Sequence, residues 1–449
     1  MENLYKLYEG KPFVGFWRFR TPGLLIRDPE VTKTVLLQEF NSFQQNGFRV
    51  HPELDPLVHK NPFMLTGEEW KTTRQTLTPS FTNSKLKPLL PLMEEVAAEL
   101  VQYLRANCHT CGPDGFDAKD LCSKYTMEVV ATSAFGIKGH SFQNPKAELR
   151  EMTMQLLQPG LKKSIELMLI NFLPSLADLL KLRMMPVEVD QYFRGVVRTV
   201  VDEREKKNIT RNDFMQNLIN LKKKAVENGE TYSDEDITAH AVTFMTDGFE
   251  TSAIIMSFIL HELARHPDVQ EELRQEVVAA RGANGGRLPF EVLLELPLLD
   301  QVIHETLRLH PALPAMEKVC TRAISLRAAD GTELHVPKGQ LVILPVLGFH
   351  KDPRYFHDPE RFDPDRFSPG RKSDIPKYMF LGFGGGPRQC LGMRFALQQT
   401  KLAIATMVAH FVIKATPKTP EVVEQDPTSF LACAKGGLWV RFEERQTSL

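Results

Sequence analysis

The sequence predicts a mainly α-helical protein with small β-sheets, an α+β fold built as one large domain over residues 1–449. Three observations predict it. Long helix-period patterns fill most of 86–107, 118–135, 233–266 and 391–411. Alternating runs are few and short, at about 12–20, 24–27, 341–346 and 437–442. No internal repeat or low-complexity linker divides the 449 residues, although that length allows two or three average domains.

Composition is that of an ordinary globular chain, 42% hydrophobic and 25% charged. A net charge of −1 leaves no electrostatic footprint for nucleic acid. Six cysteines, at 108, 111, 122, 320, 390 and 433, are too sparse for a disulfide framework and suit a reducing compartment. Cys108-His-Thr-Cys111 is a lone CxxC and reads as a loop with two free thiols. No run of about 18 apolar residues occurs, so no transmembrane helix is predicted, and no signal peptide opens at Met1.

Residues 12–27 read as a β-hairpin turning at Thr21-Pro22-Gly23. Asp28-Pro29 then opens a helix, with Asp28 as N-cap and Pro29 at the first helical position. No period is clear from about 39 to 62. Thr66-Gly-Glu-Glu69 reads as a capping box for a helix that Pro79 stops. Trp70 and Arg74 stand four apart and share one face of it. The Leu-, Met- and Ile-rich stretch 148–182 reads as two core helices.

Ser233-Asp-Glu-Asp236 caps a helix running to about His266. Its middle, Thr246-Asp247-Gly248-Phe249-Glu250-Thr251-Ser252, sets a glycine and two acids inside an apolar rod. Glycine there costs about 1 kcal/mol relative to alanine, so something uses the gap. Thr and Ser hydroxyls bond back to carbonyls and loosen the helix locally, making a polar notch. Farther on, Glu305 and Arg308 in His304-Glu305-Thr-Leu-Arg308-Leu-His-Pro311 stand three apart and face each other.

The most telling stretch is Phe383-Gly-Gly-Gly-Pro-Arg388-Gln-Cys390-Leu-Gly392, placed just before a long apolar-patterned helix. A cysteine at a helix N-terminus feels the positive end of the dipole, which favours thiolate. Such a thiolate is a metal ligand or a nucleophile, and no histidine base stands near it in sequence. Thiolate ligation of haem iron is the better reading: glycines clear space for a flat macrocycle, and Arg388 can pair with a propionate.

The spacing Phe383, Gly386, Arg388, Cys390, Gly392 resembles the haem-binding signature of the cytochrome P-450 family, the haem-thiolate monooxygenases. The resemblance spans about 12–442 with motifs in the family's order. KPFVGFWRFR, LLIRDPE and FMTDGFETSA look most like its insect microsomal, xenobiotic-metabolising branch. The resemblance implies haem b (iron protoporphyrin IX) between the long central helix and the loop of Cys390, the axial ligand of the iron. Trp70, Arg74 and Arg388 would hold propionates. Lys318 aligns where the family often has another propionate-binding arginine; lysine keeps the charge and loses the bidentate fork. Thr251 would donate a hydrogen bond to the oxygen being activated, and Glu250 would relay protons from solvent. Glu305, Arg308 and Arg361 would form a buried structural triad. Met316 and Phe430 are candidate pocket residues. The family usually has a small residue at the position of Asp247, so a carboxylate stands near the pocket, selecting polar or basic substrates or facing away. Residues 39–62 would loop over the haem, and 148–182 would roof the substrate channel.

The implied reaction inserts one oxygen atom of O2 into a small apolar substrate: xenobiotics such as insecticides, hormones or lipids. Electrons would come from NADPH through NADPH–cytochrome P-450 reductase, with cytochrome b5 as a second donor. The chain has no strand–GxGxxG–helix unit to bind NADPH itself. Arg371, Lys372, Lys377 and Arg394 would face the reductase. The implied location is the cytoplasmic face of the endoplasmic reticulum membrane. Anchored members begin with an apolar segment and a proline-rich hinge; this chain starts near where such a hinge ends, so either a naturally anchorless form or a shortened reading frame is expected. Two rivals stand beside this reading: a reductase-independent haem-thiolate isomerase or dehydratase, against which Thr251 and Glu250 argue, and a non-catalytic haem or ligand binder.

Overall fold

Phe13–Arg18 and Thr21–Ile26 form the predicted hairpin, with Phe13 opposite Ile26, but it turns at Phe19-Arg20, and Thr21-Pro22-Gly23 opens the second strand. The computed structural model describes residues 2–144, 146–157 and 160–446. The hairpin is one edge of a five-stranded sheet. Leu341–Leu344 joins Thr21–Ile26 in parallel; Met316–Val319 and Gln45–Asn46 follow, both antiparallel. All four residues of Leu341–Leu344 are buried, as suits a central strand. A three-stranded sheet of Phe116–Asp117, Trp439–Glu444 and Phe411–Ala415 and a two-stranded ribbon complete the β-structure.

Helices make up the rest. The central one, Asp234–Arg265, starts at the predicted box: Ser233 Oγ accepts the Asp236 N–H at 3.1 Å and Asp236 returns the bond to the Ser233 N–H at 2.7 Å. Apolar side chains point outward on nearly every side, so the helix is buried through the middle of the larger core. It packs against Ala118–Val130 and against Met393–His410, the helix that follows Cys390.

Two local expectations fail. Thr66 precedes the helix Gly67–Leu77 without a side-chain cap bond; its carbonyl takes the Trp70 N–H instead. Gly67 enters from the left-handed region at φ +58°, which turns Thr66 out of box geometry. The stretch 148–182 is not two core helices. It forms Glu148–Leu157, Leu161–Phe172 and Pro174–Leu179, and much of its apolar surface faces outward: Leu161 is 81% and Leu179 78% exposed. The ring of Phe172 meets that of Phe19 at 4.7 Å, so exposed Trp17 and Phe19 at the hairpin tip join the same apolar face. Among the described residues no helix is long and apolar enough to cross a membrane.

Candidate active site

The chain from Leu381 to Gly392 closes on itself. Gly384 N–H donates to the Leu381 carbonyl, Gln389 N–H to that of Gly386, and Cys390 N–H back to that of Phe383, all at 2.9–3.0 Å. Gly386 is required for packing rather than for clearing room: its φ is +68°, and a Cβ there would strike the Leu36 carbonyl oxygen. Met316 abuts the same loop through its methyl group beside Gly384. Gly392 is the N-cap of Met393–His410, which sets Cys390 at the helix start. By surface area Cys390 is exposed, yet protein crowds it on most sides; its sulfur therefore lines an internal recess. Burial pushes its thiol up to about 11, Asp247 adds to the rise, and the Gly392 N–H and Arg74 only partly offset it. Without a metal on the sulfur, burial outweighs the helix start. A metal cation on the sulfur would have to displace the proton.

Behind the loop stands the buried ion cluster. Arg308 grips Glu305 through two bonds, Nε–Oε2 and Nη2–Oε1, both at 2.7 Å. Arg308 Nη1 also donates to the carbonyls of His350 and Pro359. The third ionic partner is Arg366, whose Nε lies 3.3 Å from Glu305 Oε1. Arg361 is not that partner. Its side chain is exposed, and it offers only its backbone carbonyl to Arg308 Nη2, at 3.1 Å. The 3₁₀ turn Pro364–Phe367 swings Arg366 inward five residues later. Sequence reasoning missed His350. Its Nε2 accepts the Leu381 N–H at 2.9 Å, so the proton sits on Nδ1 and is donated to the Arg308 carbonyl at 3.0 Å. Burial and the nearby Arg308 charge lower its pKa to about 3. This neutral ring ties the ion cluster to the first residue of the cysteine loop. Its one signal was a histidine ending the apolar run LPVLGFH.

The helix notch behaves partly as expected. Thr251 Oγ1 donates to the Asp247 carbonyl at 2.6 Å, and Thr246 Oγ1 to that of Val242 at 3.1 Å. With its hydrogen on its own helix, Thr251 offers an oxygen that can accept a further bond; the donor role expected from the sequence needs the hydroxyl to turn. Glu250 is buried; its Oε1 lies 2.6 Å from Lys119 Nζ, and its Oε2 has no partner. Gln399, also unforeseen, reaches across from the cysteine helix and donates to the Gly248 carbonyl at 3.0 Å and to Ser252 Oγ at 2.8 Å.

Three cations form a chain that starts at the sulfur: Arg74 acts on Cys390, Arg388 on Arg74, and Lys318 on Arg388. Arg388 donates to the carbonyls of Pro62 and Leu65, stacks 4.6 Å above the Trp70 ring, and leaves its buried Nε without a partner. Burial and Arg74 push Arg388 down to about 10. Lys318 is buried, donates to Asn46 Oδ1 at 2.8 Å, and is lowered to about 7 by burial and by Arg388. Among the described residues none of the three has a carboxylate partner. Buried cations left without counterions are costly, so the arrangement fits an anionic group. Phe430, 62% exposed, sits apart with Phe48 and Phe63 in a chain of ring contacts at 5.2 and 5.5 Å.

A sulfur bared to a recess, with unmatched positive charge beside it, is what an iron porphyrin with two carboxylates would complete; the site is of the haem-thiolate kind. A family model described as Cytochrome P450 matches residues 1–440. The chain is 34% identical over 458 residues to cytochrome P450 6k1 of Blattella germanica, an alignment covering 98% of this chain and 86% of that one. It is 35% identical over 446 residues to probable cytochrome P450 6g2 of Drosophila melanogaster, covering 96% and 86%. With cytochrome P450 9e2 of Blattella germanica it shares 34% over 469 residues, covering 99% and 88%. The chain belongs to the cytochrome P450 family. It is a monooxygenase, an oxidoreductase whose family membership implies a haem cofactor.

Proposed function

We propose that this chain is a single-domain haem b enzyme that oxygenates small apolar organic compounds: xenobiotics, hormones or lipids. Its electrons come from NADPH through cytochrome P-450 reductase, with cytochrome b5 as a second donor. The observation that carries the reading is that the free Cys390 sulfur and the unpartnered Arg388 Nε both lie beside Arg74, and among the described residues neither arginine has a carboxylate partner. Haem held there supplies the redox centre at which dioxygen is reduced and split, with electron density drawn from the thiolate.

The chain's own residues do the rest. Cys390 ligates the iron. Arg388, Arg74, Lys318 and the Trp70 indole N–H hold the two propionates. Thr251 fixes a proton donor in the recess by accepting its hydrogen bond. Glu250 passes protons inward from its partner Lys119, whose side chain is 20% exposed, and the free Oε2 is the atom that carries them. Met316 and the Phe430 cluster meet the substrate. The apolar face of Trp17, Phe19 and the helices Leu161–Phe172 and Pro174–Leu179 rests on the endoplasmic reticulum membrane. Arg371 is held by Asp363 and Asp365, which leaves Lys372, Lys377 and Arg394 to meet the reductase.

Reconstitution with reductase, NADPH and a mixed panel of steroids, fatty acids and insecticides tests this. The expected result is NADPH-dependent oxygenated product. Product from a hydroperoxide alone, with none from NADPH, would sink the proposal in favour of an isomerase or dehydratase.

A further inference from the structure

Resting on that reading, we infer that Asp247 is the ionic anchor of the substrate recess and selects substrates that carry a cationic nitrogen on an apolar body. The central helix Asp234–Arg265 holds six acids. Five have a basic partner: Asp234 with Lys222 at 2.5 Å, Glu235 with Arg194 at 3.2 Å, Asp236 with Lys60 at 2.6 Å, Glu250 with Lys119 at 2.6 Å, and Glu262 with His310 at 2.8 Å. Asp247 has none among the described residues. Its carboxylate receives the Asn61 amide, at 3.3 and 3.4 Å, and shares the single hydrogen of the Thr246 hydroxyl, 3.0 Å away, with the Val242 carbonyl.

Asp247 shares the signature of Cys390: exposed by surface area while protein crowds it. It is near enough to the sulfur to raise that thiol's pKa. Its carbonyl takes the Thr251 hydroxyl, which sets Asp247 on the helix turn that forms the notch. Aspartate is a poor helix former, and an uncompensated carboxylate inside a protein is costly. The long Asn61 contacts compensate it weakly. A bound cation would compensate it fully. The neighbourhood suits the apolar part of such a ligand. Asn61 Oδ1 holds the Phe63 N–H at 2.7 Å, and Phe63 leads into the Phe48 and Phe430 rings. The class is an aliphatic ammonium joined to an aromatic or alkyl body.

The test titrates the holoenzyme and its Asp247→Asn variant with (4-phenylbutyl)trimethylammonium and with the neutral isostere in which tert-butyl replaces the trimethylammonium group. A quaternary nitrogen has no lone pair for iron, so the difference between the two ligands reports on the carboxylate. Binding is read by the haem absorption change and by calorimetry. The expected cation-to-isostere affinity ratio is at least about tenfold higher in the wild type than in Asp247→Asn. Asp247→Glu should recover part of it. Equal ratios in wild type and Asp247→Asn would overturn the inference. The carbon monoxide spectrum keeps the two failures apart: a thiolate-type spectrum with equal ratios removes only the role of Asp247, and its absence in the wild type removes the monooxygenase reading.

Discussion

Thr251 shows how one hydroxyl changes role when its partner is known. Its hydrogen goes to the Asp247 carbonyl at 2.6 Å, leaving only lone pairs for the recess. Thr251→Val keeps the shape and removes those lone pairs. NADPH consumption should continue, while product per NADPH falls by about a hundredfold; Thr251→Ser should restore most of it. Product yield unchanged in the valine variant would remove Thr251 from the proton path. The sequence displayed the notch because glycine and two acids are anomalous inside an apolar helix. It did not display the donor or acceptor role, which depends on one backbone bond. Cys390 was legible for the same reason as the notch. The upward push that burial gives its thiol was not, because desolvation is set by distant chain that no local spacing reports.

At the scale of elements, the cysteine loop is held from behind. Glu305 and Arg308 are both 0% exposed, and His350 carries their order to Leu381. Breaking one side of a fully buried pair costs about 3–5 kcal/mol, so Arg308→Ala should lower the urea midpoint sharply and reduce haem retention. Arg366→Ala should cost less, its bond to Glu305 being 3.3 Å long and its shorter one, 2.7 Å, going to the Asp358 carbonyl. Arg361→Ala should stay within about 0.5 kcal/mol, since only its carbonyl is used. A large loss at Arg361 with none at Arg366 would reverse the assignment. The helical spacing of Glu305 and Arg308 made their pairing readable. The third partner lies across a loop, where spacing gives no direction, and five residues separated the expected arginine from the observed one. Caps were read unevenly for a similar reason. Ser233 and Asp28 behave as their sequences suggest, whereas Gly67 at φ +58° undid the box at Thr66.

Across the whole molecule, stability should depend on pH through buried histidines. Burial lowers His350 to about 3 and His240 and His261 to about 4. The unfolded chain, with histidines near 6.5, binds more protons in this window. Their contribution is therefore complete above about pH 6.5 and is lost as pH falls toward 4 and below. Asp247, raised to about 6, acts in the opposite sense with Asp55 and Asp117, which burial also raises, while Asp120, Asp236, Glu262 and Asp300, lowered by their basic partners, act with the histidines. The urea midpoint should fall steadily from pH 6.5 to 4; a flat profile would mean that these rings are not held neutral. The mainly helical class, the hairpin and the order of the motifs were all legible, because long periodic segments dominate the chain. The outward-facing roof was not: an apolar pattern does not say whether protein or another medium covers it. Trp17 and Leu179 stay exposed, and Phe19 remains 72% exposed although the Phe172 ring meets one side of it.

The central claim is that Cys390 is the iron's ligand and makes the recess an oxygenating site. The direct measurement is the carbon monoxide spectrum of the reduced holoenzyme beside that of Cys390→Ser, at matched haem content. The account predicts a thiolate-type band in the wild type and its loss, together with NADPH-dependent turnover, in the serine variant. A serine variant that keeps both the thiolate-type band and the turnover would contradict it.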